Sequence, residues 1–214
     1  MLKLYYHPLS SFCWKVLIAL YERDIPFIPH LVDLGDATAR ADFARVWPVA
    51  KFPVLRDGAT GMTYPESTII IEYLDGMKSD QPLLISDEPE AALQIRLWDR
   101  IFDNYLHVPM QKIVGDRLRP EDARDPHGVA EARAAIRRTY DYAALALGYR
   151  AWATGDAFTM ADCAAAPALW YANRVEPLGE GDTALRSYLD RLTARPSFAR
   201  VLDEAAPYMH MFPG

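Results

Sequence analysis

Residues 2–21 constrain this chain more than any other stretch. Leu2-Lys3-Leu4-Tyr5-Tyr6 is a short run rich in β-formers, His7-Pro8 makes a turn, and an apolar helical pattern follows to about Tyr21. A strand that passes directly into an apolar helix is the opening of an alternating α/β unit. Ser10 and Ser11 stand where that helix begins. A serine hydroxyl there accepts a hydrogen bond from an orphan backbone N–H, the ordinary N-cap. The same point favours an anion, because free N–H groups and the helix dipole converge on it and a hydroxyl can donate to it. From these residues alone the cap is the stronger reading.

Alternation continues through the first third. Phe27-Ile28-Pro29-His30-Leu31-Val32 reads as a strand, and Pro29 assigns it to a sheet edge because proline cannot donate to the ladder. A short helix is expected over residues 38–46. Lys51-Phe52-Pro53-Val54-Leu55-Arg56-Asp57-Gly58 is a strand entered through proline and left through an Asp-Gly turn, and Met62-Thr63-Tyr64 returns from it. Glu66-Ser67 then opens a helix that ends near Gly76. The order β-α-β-α-β-β-α predicts a mixed sheet, parallel across the helical crossovers and antiparallel at the hairpin. Residues 79–89, with two prolines among acidic and polar residues, read as a linker between a domain of residues 1–78 and one of residues 90–214.

The second domain has no strand pattern and is expected to be all-helical. A long amphipathic helix over residues 90–115 carries Trp98, Phe102 and Tyr105 and should bend near Pro109. Residues 117–128 read as a loop, and helices are expected over 129–147, from about 158 towards 174, over 182–195 and over 197–206, with an irregular tail at 207–214. Thr159 and Asp162 have the spacing of a capping box, whose task is to start a helix.

Composition narrows the function classes. A net charge of −6 over 214 residues argues against a protein that wraps nucleic acid or sits on an anionic membrane. Cys13 and Cys163 give no disulfide framework. His7, His30, His107, His127 and His210 form no cluster at ligand spacing, so no metal is predicted. No leader and no membrane-length apolar run is evident, and the expectation is a soluble cytoplasmic protein.

Taken together, the β-α-β-α-β-β-α order, Pro53 at the third strand, Glu66-Ser67 at the third helix and the helical second half resemble a cytosolic glutathione S-transferase, over essentially the whole chain. Ser10-Ser11-Phe12-Cys13-Trp14-Lys15-Val16 is similar to the serine-type classes, nearest to the zeta and theta-like bacterial ones, and departs from zeta at Phe12, where those enzymes carry cysteine. The resemblance implies a thioredoxin-like first domain, glutathione as co-substrate, no metal, and attack of the glutathione thiolate on a hydrophobic electrophile. Isomerase, dehalogenase and peroxidase activities fall within the same implication, as does a glutathione-binding regulatory or interaction protein with little turnover. Ser10 matches the catalytic serine, with Ser11 second and Tyr6 third as thiolate donors. Lys51, Phe52, Pro53, Glu66 and Ser67 match glutathione-binding positions, with a cis bond implied at Phe52-Pro53. Leu9, Phe12, Tyr105, Met110 and Trp170 are candidates for the electrophile pocket. Family members are usually two-fold homodimers, and the aromatic helical face at Trp98, Phe102 and Tyr105 is the expected contact.

Overall fold

A computed structural model describes residues 1–148 and 150–213. The first half is a four-stranded sheet of order β2-β1-β3-β4, formed by β1 (Leu2–Tyr6), β2 (Phe27–Leu31), β3 (Val54–Asp57) and β4 (Thr63–Pro65). The Pro29-bearing strand β2 lies at the edge, parallel to β1. The expectation of parallel pairing across both crossovers holds only for the first. The second crossover, through α2 (Ala37–Val46), delivers β3 to the other side of β1 in antiparallel register, Leu4 opposite Leu55. Adjacent Tyr5 and Tyr6 point to opposite faces, as the strand period requires. Tyr5 stacks on Phe43 of α2 at 5.7 Å, whereas Tyr6 packs towards the main core. That core lies under α1 (Ser11–Glu22) and α3 (Ser67–Asp75), where Trp14, Ile18, Ile70 and Ile71 are wholly buried.

The second half is helical: α4 (Pro89–Ile101), α5 (Val108–Arg117), α6 (Pro126–Leu147), α7 (Met160–Val175), α8 (Thr183–Ala194) and α9 (Pro196–Ala205). Helix α7 has six alanines among its thirteen buried residues, so α1, α4 and α5 approach it closely. The segment expected as a loop is shorter than the sequence suggested. Helix α5 runs to Arg117, a single 3-10 turn covers Glu121–Ala123, and α6 starts at Pro126, whose absent N–H costs nothing at a first helical position. The tail expected to be irregular winds as 3-10 helix over Ala206–Met211; its last residue, Gly214, lies outside the described residues.

Near Pro109, where a bend is expected, the helical geometry changes. A π-helical segment, Phe102–His107, joins α4 to α5. Pro109 cannot donate to the carbonyl of Tyr105 four residues earlier, and a widened turn relieves the ring clash. The orphaned Tyr105 carbonyl accepts from Thr139 Oγ1 of α6 at 2.9 Å. The wider turn also shifts the helical phase. Trp98 and Phe102 are buried in the core, and Tyr105, expected on the same face, is 62% exposed. The expected aromatic contact face therefore does not exist as such.

Candidate active site

Ser10 caps α1, and its hydroxyl accepts from the Cys13 N–H at 3.3 Å. Capping and activation do not exclude one another. A hydroxyl has two acceptor lone pairs and one proton, so Ser10 still has its O–H to donate. Ser11 follows it inside the helix and is buried. Cys13 is buried and makes no disulfide, and burial pushes its thiol up to about 12, so it stays protonated.

Pro53 follows a cis peptide bond, the only one among the described residues. It sets Phe52 facing the turn before α1, where the Phe52 ring stacks on His7 at 5.9 Å with 15° between planes. On the far side, Glu66 has φ +70°, a region a non-glycine residue occupies at a cost of about 1–3 kcal/mol. Its carboxylate makes no cap to α3, so the ordinary capping role is not what holds it there. Ser67, the first residue of α3, is buried beside it.

These residues line two adjoining cavities. One, of about 330 Å³, gathers Lys51, Phe52, Pro53, Glu66 and Ser67. All five expected glutathione positions are thereby brought together, with Phe12, Trp47, Val49 and Pro65 completing the wall. The other, of about 310 Å³, holds Ser10 and Ser11 beneath an apolar lining that includes Leu9, Met110, Val114 and Phe212. Phe52 lines both.

Three expected electrophile-pocket residues lie elsewhere. Phe12 faces the first cavity and packs against the His107 ring at 4.6 Å. Trp170 sits between Trp14 and Tyr171, covered by the Arg174 guanidinium at 3.7 Å. Tyr105 is turned outward onto the cleft between the π segment and α6. Tyr6 lines neither cavity, and burial together with Glu204 and Tyr208 raises its phenol pKa. Sequence reasoning missed His7, Tyr171 and the Met211–Pro213 tail. Tyr171 anchors the cavity wall by donating to the Leu9 carbonyl at 2.8 Å, and Arg117 holds the tail through the Pro213 carbonyl at 3.1 Å. The aromatic residues of that tail, Phe212 among them, were the available signal.

The capping box at Thr159 and Asp162 is present. Asp162 accepts from the Thr159 N–H at 2.8 Å and from the Thr159 hydroxyl at 3.0 Å. Among the described residues no group of three His, Cys, Asp or Glu could hold a metal ion, and no helix is long and apolar enough to cross a membrane.

Residues 4–82 match the model of the glutathione S-transferase N-terminal domain, and residues 126–204 that of its C-terminal domain. The chain belongs to the glutathione S-transferase family. A glutathione S-transferase from Methylobacillus flagellatus, solved with glutathione bound, superposes with a TM-score of 0.86 at 25% identity, covering 94% of this chain and 98% of that one. One from Methylobacterium radiotolerans, in complex with glutathione sulfonate, has a TM-score of 0.81 at 30% identity over 94% of this chain and 93% of its own. A stringent starvation protein A homolog of Haemophilus ducreyi is 28% identical over 200 residues, 90% of this chain and 86% of that protein.

Proposed function

We propose that this chain binds glutathione in the Lys51–Ser67 groove and activates its thiol at Ser10 for attack on an electrophile held in the adjoining apolar cavity. The observation that carries this reading is the position of Phe52, shared by both cavities, with Ser10 on one side and the Glu66-Ser67 turn on the other. Glu66 meets the γ-glutamyl ammonium, and the Ser67 hydroxyl with the α3 N-terminus meets its carboxylate. The Phe52 backbone receives the cysteinyl part, and exposed Lys51 approaches the glycyl carboxylate. The glutathione-bound relatives support the same ligand.

A thiol pKa near 8.5 leaves little thiolate at neutral pH, and lowering it by about two units takes about 2.7 kcal/mol. A hydrogen bond to a charged group contributes about 1.5–3 kcal/mol, and the α1 terminus up to about 1 kcal/mol more. Together these suffice. Ser10 as donor makes this a serine-type enzyme, in the zeta or theta-like range.

Two measurements test the reading. Millimolar glutathione should raise the melting temperature by mass action. Ser10→Ala should raise the pKa of bound glutathione, read from thiolate absorbance against pH, with a smaller effect on affinity. An unchanged pKa in Ser10→Ala, with a raised one in Ser11→Ala or Tyr6→Phe, would transfer the role to that residue. Likeness to the stringent starvation protein A homolog supports a second reading, a glutathione-binding regulator. Tight binding with no turnover across an electrophile panel would favour it.

A two-fold homodimer belongs to the same proposal. Leu97, Tyr105, Val108 and Tyr142 are exposed around a cleft of about 840 Å³ on the outer side of α4–α6, an apolar surface suited to a second copy. Sedimentation as a monomer at micromolar concentration would refute it.

A further inference from the structure

We propose that His7 sets the preference of this site among electrophiles, donating from its Nε2–H to a carbonyl oxygen conjugated with the reacting carbon and so favouring enones over alkyl halides. The inference rests on the thiolate reading above and extends it to the electrophile.

The apolar cavity has five polar side chains, of which two are committed to other partners and a third is exposed to solvent. Ser10 serves Cys13 and the sulfur, the Tyr171 hydroxyl donates to the Leu9 carbonyl, and Gln111 is exposed at the rim. His7 and Ser11 remain. Of these, the His7 ring is oriented by two contacts. The Leu9 N–H donates to Nδ1 at 3.2 Å, and the ring lies against Phe52. With Nδ1 occupied as an acceptor, a neutral imidazole carries its proton on Nε2. Burial lowers the His7 pKa, against an opposing pull from Asp33, which favours that neutral form at pH 7. The donor thus stands one turn before Ser10, on the ring that touches the residue shared by both cavities.

The chemistry balances without a further reagent. The glutathione sulfur bonds to the β-carbon, the carbon–carbon π pair shifts, and the carbonyl oxygen becomes an enolate oxygen that the His7 N–H stabilises. Water returns a proton to the α-carbon, and the hydroxide left behind is neutralised by the proton released when the thiol ionised. Fixed donors aimed at a developing oxyanion favour the transition state over the ground state. An alkyl halide develops no oxyanion, because sulfur displaces halide in one step.

The test compares kcat/KM for a small aryl enone and for benzyl chloride in wild type, His7→Phe, His7→Gln and Ser11→Ala, with melting temperature and glutathione affinity read on the same samples. The enone-to-chloride ratio should fall about tenfold to a hundredfold in His7→Phe, as for loss of an oxyanion donor, and recover in part in His7→Gln, which keeps an N–H. A ratio that does not move, that falls in Ser11→Ala instead, or that is as low in His7→Gln as in His7→Phe overturns the proposal. Should His7→Phe fail to fold, His7→Gln against wild type still reads the ratio: a fall short of tenfold supports the proposal, and none overturns it. A wild type that binds glutathione and consumes benzyl chloride but not the enone overturns the His7 role alone. A wild type that binds no glutathione overturns the thiolate reading, and this one with it.

Discussion

Two buried carboxylate centres in this molecule are built in opposite ways. Asp162, at the start of α7, is surrounded by neutral donors: the N–H groups of Ala153 and Thr159, each at 2.8 Å, the Thr159 hydroxyl, and the Tyr188 hydroxyl at 2.6 Å. Asp99 and Asp103, at the seam between the two halves, close instead on a cation. Lys15 of α1, fully buried, lies 2.5 Å from Asp99 and 2.8 Å from Asp103. Its ammonium also donates to Thr68 at 2.9 Å, and Thr68 donates on to Asp99 at 2.8 Å. Arg100 closes the cluster from the solvent side. The neutral centre is mostly local and specifies where one helix begins. The ionic centre joins α1 and α3 to α4 and the π segment, and Thr68 is the residue after Ser67. It therefore fixes the helical half against the end of α3 that faces the proposed glutathione groove.

Titration differs in the same way. Burial pushes the Asp162 carboxyl up, and the hydrogen bonds around it only partly offset that. Burial also acts on Asp103, but there the Lys15 ammonium and the contacts with His107 outweigh it and hold the carboxyl well below the usual range.

The largest expected effect breaks the ionic centre. Lys15→Met should cost about 3–5 kcal/mol of stability near neutral pH, because it leaves buried carboxylates without their cation. Chemical denaturation measures it, and a loss under about 1 kcal/mol would mean that water or Arg100 takes over. Breaking the neutral centre should cost less. Asp162→Ala orphans two backbone N–H groups and the Thr159 and Tyr188 hydroxyls but also removes the cost of burying a carboxyl, for a net loss of about 2–3 kcal/mol. Thr159→Ala removes one arm of the box and should cost about 1 kcal/mol.

The smallest effect is the sharpest, since the two centres should respond to acid with opposite signs. A carboxyl whose folded pKa is depressed adds stability above its unfolded value, about 3.9, and loses it as pH falls through the folded one. A raised carboxyl adds stability below about 3.9 and loses it as pH rises through its folded value. The stability gap between wild type and Lys15→Met should therefore shrink on acidification below about pH 4. The gap to Asp162→Asn should widen as pH falls from 7 towards 4. Unfolding curves across that range check both, and gaps that move together would show that the centres are not electrostatically distinct.

Features legible in the sequence were those whose partners lie a few residues apart. The Ser10 cap, the Thr159–Asp162 box, the proline before β3 and the Glu66-Ser67 helix start could each be read locally. Lys15 could not be recognised as the hub of a network, because its partners lie 53 and 88 residues away and one lysine in an apolar helix looks like any other. The helical phase of α4 was misread for a related reason. Trp98, Phe102 and Tyr105 share a face at 3.6 residues per turn, and the wider π turn imposed ahead of Pro109 buries His107 and turns Tyr105 out.

By itself, the sequence determined the element order, the helix starts and the residue types that suit a tripeptide with charged ends, because short-range hydrogen bonding and hydrophobic periodicity are written in neighbouring residues. Tertiary structure alone decided the antiparallel seating of β3, the meeting of Phe52 with His7, the Lys15 network and the placing of Phe212 over the cavity. Each of these depends on where a distant segment packs, and that is set by how the whole core closes around α1 and α7.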